Sequence, residues 1–269
     1  MPAEWEGTQR EYWNERFRQH WGPEGAGSVV FGRQFNRWRY RVRRRVFRRI
    51  VGRLGIELGN ASVLDMGAGT GFYLQQWQEL GAASISGLDI SDRAIAQLAQ
   101  VHANATLCRA DITSADFPLP AAAFDAVTAI DTLTHVVDDD AYLRALGNVY
   151  RSLKPGGFLL YTDAFFHGPG KRFEDYWRGR SLAEVAAAMN SVGLEIVLRV
   201  PFSVLMSAPT DTRHRQRNER IWDKVMLPLA RHPWLGFLYG AVLFPVELVL
   251  VSVLRESPAI EMMVCRKRS

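Results

Sequence analysis

The feature that most constrains this chain is the run Ser62-Val63-Leu64-Asp65-Met66-Gly67-Ala68-Gly69-Thr70-Gly71. Ser62 to Asp65 suits a short buried strand, three glycines at alternate positions follow, and Thr70 to Leu80 has helical spacing. Glycines at such a crossover let the backbone turn tightly and approach a ligand, while the helix N-terminus offers free amides. The spacing is G-x-G-x-G. A dinucleotide fingerprint needs its last glycine where this chain has Phe72, and no Gly-Lys-Ser/Thr of a phosphate-binding Walker loop follows. Asp89, at the end of a second strand from Ser84 to Ile90, suits a carboxylate accepting two ribose hydroxyls.

The rest of the chain repeats this alternation. Ser91 can cap a helix running through Leu98, Ala105 to Ala110 is a third strand ending at Asp111, and Phe124 to Ile130 is a fourth ending at Asp131. A helix from Asp138 to Leu153 stops at Lys154-Pro155-Gly156-Gly157, and Phe158 to Ala164 is a fifth strand. Helix Leu182 to Val192, strand Leu194 to Val200 and a last strand Ile260 to Cys265 complete the pattern. Alternating units of this length predict a parallel sheet with helices on both faces. The 269 residues, 48% hydrophobic and 23% charged, exclude disordered and fibrous classes. Cys108 and Cys265 are far apart with no C-x-x-C pairing, so neither a disulfide scaffold nor a metal cluster is expected. Met1 to Gly7 lacks an apolar h-region, and the expectation is a cytoplasmic location, with peripheral contact at the inner membrane face as its alternative.

The net charge of +5 is local. Arg33 to Arg53 holds ten arginines and no acid, leaving 23 bases against 28 acids elsewhere. Phe35, Trp38, Val42, Val46 and Ile50 recur there at steps of three or four, the stripe of a helix that packs on the domain while its arginines are solvated or meet an anionic substrate or membrane. Between the sixth and last strands lies an insertion, 201–258, whose second half, Trp234 to Leu254, is the most apolar stretch of the chain. It is long enough to span a bilayer, yet Pro245 and Glu247 interrupt it, Gly236 and Gly240 weaken a helical reading, and the last strand must return to its sheet. A pocket cover, a dimer surface and shallow membrane insertion remain open.

Val63 to Gly71 resembles motif I of class I S-adenosylmethionine-dependent methyltransferases, and the similarity continues through Gly87-Leu88-Asp89-Ile90, Ala110-Asp111-Ile112, Phe124 to Val127 and Leu153 to Leu159. The resemblance implies an α/β, Rossmann-like seven-stranded sheet of order 3-2-1-4-5-7-6 with the last strand antiparallel, N-terminal helices, and a helical insertion between strands six and seven. Its implied segments are a lid and basic helix (1–58), the cofactor-binding core (59–200 and 259–269) and the inserted cap (201–258). Gly67, Ala68, Gly69 and Gly71 would pass the methionine part of S-adenosylmethionine, with Asp65 near its amino group. Asp89 would hold the ribose, Ile90 and Ile112 the adenine ring, Asp111 the adenine amine, and Asp131 would face the methionine end. Tyr12 and Trp13 are candidates for a closing lid, or for plain aromatic packing.

Methyl transfer from a sulfonium needs alignment and an anhydrous site more than covalent help. A base matters for a hydroxyl acceptor, and His135, just after the fourth strand, is the candidate, with packing as its competing role. Asp163 and His167 are weaker alternatives. Strand four ends Asp131-Thr132-Leu133, unlike the motif that relatives use on base amines, so nucleic acid is disfavoured. Family insertions before the last strand usually build the acceptor pocket, which points to a hydrophobic cover over an apolar or amphiphilic small molecule. Arg37, Arg41, Arg44 and His167 are candidates for binding that acceptor. The expected activity is O-methylation, with C- or N-methylation next, S-adenosylhomocysteine as product, and a possible homodimer or membrane contact through Trp234 to Leu254. The alternative is a silent cofactor-binding subunit that docks on a partner or membrane.

Overall fold

The computed structural model describes residues 7–173 and 176–268. The expectations for Met1 to Glu6, at the front of the lid segment, and for Ser269 lie outside the described residues. Seven strands form one sheet: β1 (Ser62–Met66), β2 (Ser84–Asp89), β3 (Thr106–Arg109), β4 (Phe124–Ala129), β5 (Leu153–Asp163), β6 (Leu194–Ser203) and β7 (Ile260–Lys267). Their order is β3-β2-β1-β4-β5-β7-β6. The first five pair in parallel, and β7 runs antiparallel to both neighbours. This is the order that the motif resemblance implies. Strand β7 enters the interior because Glu261 to Cys265 are all buried, so it cannot serve as an edge.

Two apolar layers cover the sheet. On one face α6 (Asp139–Ser152) and α7 (Leu182–Val192) contribute Leu146, Val149, Val185 and Met189. On the other lies α3 (Arg33–Val51), whose Val42, Val46, Phe47 and Ile50 pack with Val63, Ala126, Leu160 and Met262. Local capping agrees with these boundaries. Ser91 Oγ accepts from the Ala94 amide at the start of α5 (Asp92–Val101), and Ser181 forms a capping box with Glu184 at the start of α7. Two boundaries differ from expectation. Strand β5 starts at Leu153, because Lys154 to Gly157 forms an irregular strand entry with Gly156 at φ +75°, where β4 and β5 shift register. A short ribbon, Lys171–Phe173 against Trp177–Gly179, was not foreseen.

The N-terminal helices α1 (Gln9–Gln19) and α2 (Pro23–Ala26) lie over the carboxyl ends of β1 and β2, where α1 meets α5. The insertion contains α8 (Arg215–Ile221), a π-helical turn (Trp222–Met226), α9 (Leu227–Arg231) and α10 (Pro233–Val253). Contrary to expectation, α10 is continuous through Gly236, Gly240 and Pro245. The glycines are points of close approach: a Cβ on Gly240 would lie 2.3 Å from Trp38 on α3, and one on Gly236 2.8 Å from the Ala230 carbonyl. Glu247 is buried. It accepts from Ser203 Oγ (3.0 Å) and the amides of Val204 (2.7 Å) and Leu205 (2.7 Å), tying α10 to the turn after β6.

Candidate active site

At the carboxyl ends of β1, β2 and β4 lies a pocket of about 860 Å³, counting its open mouth. Its floor is the glycine loop between β1 and α4 (Phe72–Leu80). Gly67 has φ +74°, and a Cβ there would meet Thr132 Oγ1 at 2.4 Å, so no side chain fits between loop and β4. Gly69 has φ +54°, and a Cβ there would touch Ala26 (3.4 Å) and Phe17 (3.7 Å). Gly67, Ala68 and Gly69 line the cavity. Gly71 does not. It is the left-handed entry residue of α4, and a Cβ on it would strike Leu98 and His102, so its smallness serves helix entry against α5.

Asp89 lies in the pocket at the end of β2. One carboxylate oxygen accepts from the Gly69 amide (2.8 Å) and the other from the Ser91 amide (2.8 Å). Burial pushes its pKa up to about 6, although those amides pull the other way. Ile90, Ile112 and Asp111 form the adjoining wall, and Asp111 accepts from the amide and hydroxyl of Thr113. Asp65 lies outside the lining: its Oδ1 accepts from Thr128 Oγ1 (2.6 Å), and its Oδ2 is buried without a hydrogen-bond partner. Burial raises its pKa to about 7.

The roof comes from α1. Gln9, Trp13 and Phe17 line the pocket, with Trp13 edge-on to His135 at 5.2 Å between ring centres. Tyr12, named with Trp13, does not line it; its hydroxyl accepts from Arg16 (2.9 Å). Asn14 and Arg10 hold α1 to Asp92.

His135 sits in a short 3-10 turn and lines the pocket. Its Nδ1 is 2.8 Å from the Tyr176 carbonyl. A carbonyl only accepts, so Nδ1 carries the proton and Nε2 keeps a lone pair. Burial holds its pKa down to about 4, so the ring is neutral near pH 7.

The acceptor side carries the corrections. Arg37, Arg41 and Arg44 lie on the outer side of α3, away from the pocket. Arg37 donates to Gln34, and Arg41 lies over the Trp38 ring. The arginine that enters is Arg43, buried and paired with Asp131, whose other oxygen accepts from Thr162 Oγ1 (2.9 Å). Burial alone would raise Asp131, but Arg43 outweighs it and holds the carboxyl below the ordinary range. Asp131 also adopts φ +55°, an uncommon conformation for a non-glycine residue. Tyr40, Phe72 and Tyr73, with the aliphatic Ile130, complete a wall beside this pair. The signal for Arg43 was legible. Arg39, Arg43 and Phe47 follow at steps of four beside the apolar stripe, so these arginines share its buried edge. His167 is on the surface, bonded to Asp211 (2.6 Å) and close to Glu256 (3.2 Å). Asp163 is buried beside the Ala164 amide and lines no part of the cavity. No residue of α10 lines it, so the apolar insertion is not the pocket's cover. The reason is that α10 packs along the flank of α3 that carries Trp38 and Arg49, whereas Tyr40 and Arg43 are the α3 residues that face the site.

A family model described as a methyltransferase domain matches residues 63–157. Residues 63–157 form a class I S-adenosylmethionine-dependent methyltransferase domain. A ubiquinone biosynthesis O-methyltransferase from Pseudomonas savastanoi pv. phaseolicola is 32% identical over 111 residues, 40% of this chain and 46% of the relative. The chain thus matches just under half the length of that curated relative. Among solved structures, the Burkholderia thailandensis 1,6-didemethyltoxoflavin-N1-methyltransferase, with bound S-adenosylhomocysteine, aligns over 100% of this chain and 94% of its own (TM-score 0.54, 18% identity). The 4+2 cyclase SpnF aligns over 84% of this chain and 80% of its own (TM-score 0.52, 20% identity). At these identities the likeness is one of fold, and a cyclase among methyltransferase folds shows that the fold alone does not fix the reaction.

The cofactor of this methyltransferase family fits the pocket of this chain. The carboxylate of Asp89 can accept from a diol, Ile90 and Ile112 offer apolar walls for a purine, and Gly67, Ala68 and Gly69 line the floor along which an extended chain can lie. The unpartnered Oδ2 of Asp65 beneath that floor is an acceptor suited to an ammonium group or a water bound to one.

Proposed function

We propose that this chain is a methyltransferase that uses S-adenosylmethionine to methylate a hydroxyl on an apolar or amphiphilic small molecule. When bound, the cofactor supplies a methyl group already activated on sulfonium sulfur. The observation that carries the reading is the meeting, in one pocket, of Asp89 and the glycine loop with His135 and an aromatic wall. The walls supplied by Tyr40, Phe72, Tyr73 and Ile130 favour an apolar acceptor body, and they exclude water from the site. His135 orients the acceptor through Nε2 and takes its proton, while the Tyr176 carbonyl holds the ring in the required tautomer. With a pKa of about 4, His135 is a weak base that suits a proton released as the new bond forms. The relative's name, an O-methyltransferase of ubiquinone biosynthesis, supports the same acceptor atom.

The test is transfer from labelled S-adenosylmethionine to a panel of phenolic and aliphatic hydroxyl acceptors. His135→Gln should lower kcat about 100-fold or more with cofactor affinity little changed. At saturating cofactor, kcat should show no acid limb from His135 near pH 6.5, since its protonation waits until the pH falls toward 4, whereas kcat/KM for the cofactor should fall as Asp89 protonates near pH 6. Equal turnover in the variant would make His135 a packing residue. Labelled product from amines alone would replace the hydroxyl reading.

A further inference from the structure

Helix α10 has an unpartnered face. Trp234, Leu238, Val242, Val246, Val249 and Val253 recur every three or four residues and are 79, 59, 69, 46, 59 and 66% exposed. Gly236, Gly240, Glu247 and Val251 are buried on the opposite side. The bare row therefore runs the whole helix, about 30 Å at 1.5 Å per residue. A continuous apolar row of that length marks an interaction surface. Among the described residues α10 is the one helix long and apolar enough to cross a bilayer. It is nevertheless fastened lengthwise to the domain: Glu247 accepts from the amides after β6, and the chain soon enters β7 between β5 and β6.

Helix α3 runs beside α10 in the same direction. Phe35 stacks on Tyr239, Trp38 meets Gly240, and Arg49 donates to Ser252 Oγ (2.8 Å) and the Val251 carbonyl (2.8 Å). On the outer side of α3, Arg37, Arg41, Arg44 and Arg45 are exposed. Deeper in the same helix, Arg43 pairs with Asp131 and Arg48 with Glu79. Arg41 lies 4.2 Å from the centre of the Trp38 ring, which itself contacts Phe237 and Phe244 of α10. A basic row thus borders the apolar one. Across α10, the segment that meets it where Tyr239 Oη lies 3.0 Å from Met226 Sδ carries exposed Ile221 and Val225.

From this pairing of rows we propose that α10 docks lengthwise into the interfacial region of an anionic phospholipid bilayer, with the α3 arginines on the headgroup phosphates. Apolar side chains enter the headgroup–acyl boundary while guanidinium groups stay at phosphate depth, the arrangement that holds an amphipathic element in the plane of a membrane. A second copy of this chain is the weaker occupant. It would have to set carboxylates against the arginines, and the far border offers Asp223 beside Lys224, whose charges cancel. The surface lies outside the pocket, so the inference goes beyond methyl transfer and needs no cofactor to be tested.

The test is sedimentation of the full chain with vesicles of phosphatidylcholine alone or mixed with phosphatidylglycerol, at low and high salt. Binding is expected to the mixed vesicles and to weaken with salt. Leu238→Glu/Val242→Glu should reduce partitioning tenfold or more, and Arg41→Gln/Arg45→Gln about fivefold per arginine with a shallower salt dependence. Melting temperature serves as the folding control, and Trp234→Ser stands in should the double glutamate variant fail to fold. Absence of binding by the parent, or equal partitioning by folded variants, overturns the proposal. So does a dimer in sedimentation equilibrium that Leu238→Glu/Val242→Glu separates while the parent ignores the vesicles; the row would then belong to a second copy.

Discussion

Asp89 and Asp65 are both motif carboxylates, yet the structure gives them different duties. Asp89 is held in the pocket by two backbone amides, so it is preorganised to accept a diol at no cost in side-chain freedom. Asp89→Ala should weaken S-adenosylmethionine binding at least tenfold in calorimetry, with unchanged affinity removing the ribose assignment. Asp65 lies below the floor, with one oxygen on Thr128 and the other unpartnered. Its folded pKa of about 7 lies above the ordinary carboxyl value, so the folded state binds the extra proton. Stability from this site is full below about pH 4 and is lost as the pH rises through about 7. Asp65→Asn keeps an acceptor for Thr128 and removes the titration. It should melt about 5 °C or more above the parent at pH 8, with the gap shrinking as the pH falls toward 4; a gap that does not change with pH would exclude Asp65 as the titrating group. Both aspartates were legible as motif residues. The resemblance implied Asp89 at the ribose and Asp65 near the amino group; that Asp65 turns to Thr128 and stays outside the lining depends on how β1 packs beside β4.

At the scale of elements, α3 and α10 carry the main departures from expectation. The apolar stripe of α3 identified the helix and its buried side, but the ten arginines gave no sign by number of which would be buried. Arg39 and Arg43 lie at the stripe's edge. There Arg39 donates to the Met206 carbonyl (2.8 Å) and Arg43 pairs with Asp131, so each buried charge has a partner. In α10 the glycines and Pro245 look like breakers by propensity. Packing reverses that reading, since Gly236 and Gly240 allow backbone approach that any larger residue would block. Glu247, which reads as an interruption of an apolar run, is the anchor of the insertion. Glu247→Ala would leave the buried amides of Val204 and Leu205 without an acceptor and should cost about 3 kcal/mol or more in denaturant unfolding. A loss below about 1 kcal/mol would mean that apolar packing alone holds α10.

For the whole molecule, the pocket closes only when the N-terminal helix, the glycine loop and the β4 turn come together. A ligand bound across these parts stabilises the folded state by mass action. At about 100 times its dissociation constant, S-adenosylhomocysteine should raise the melting temperature by about 5 °C or more. An equal concentration of a nicotinamide dinucleotide should not. A shift by the dinucleotide alone would contradict the reading of Phe72 after the glycine loop.

The alternation of strand and helix, the glycine crossover and the acids at strand ends were set down in local sequence. Hydrophobic period and turn chemistry act over a few residues, and they sufficed for the order of the sheet once the motif resemblance was added. The wall opposite Asp89 was decided by tertiary packing. Arg43 meets Asp131 across 88 positions of chain, and His135 is oriented by a carbonyl 41 positions away. The bare face of α10 was decided in the same way, because a helix apolar on every side shows which side is buried only when its neighbours are in place.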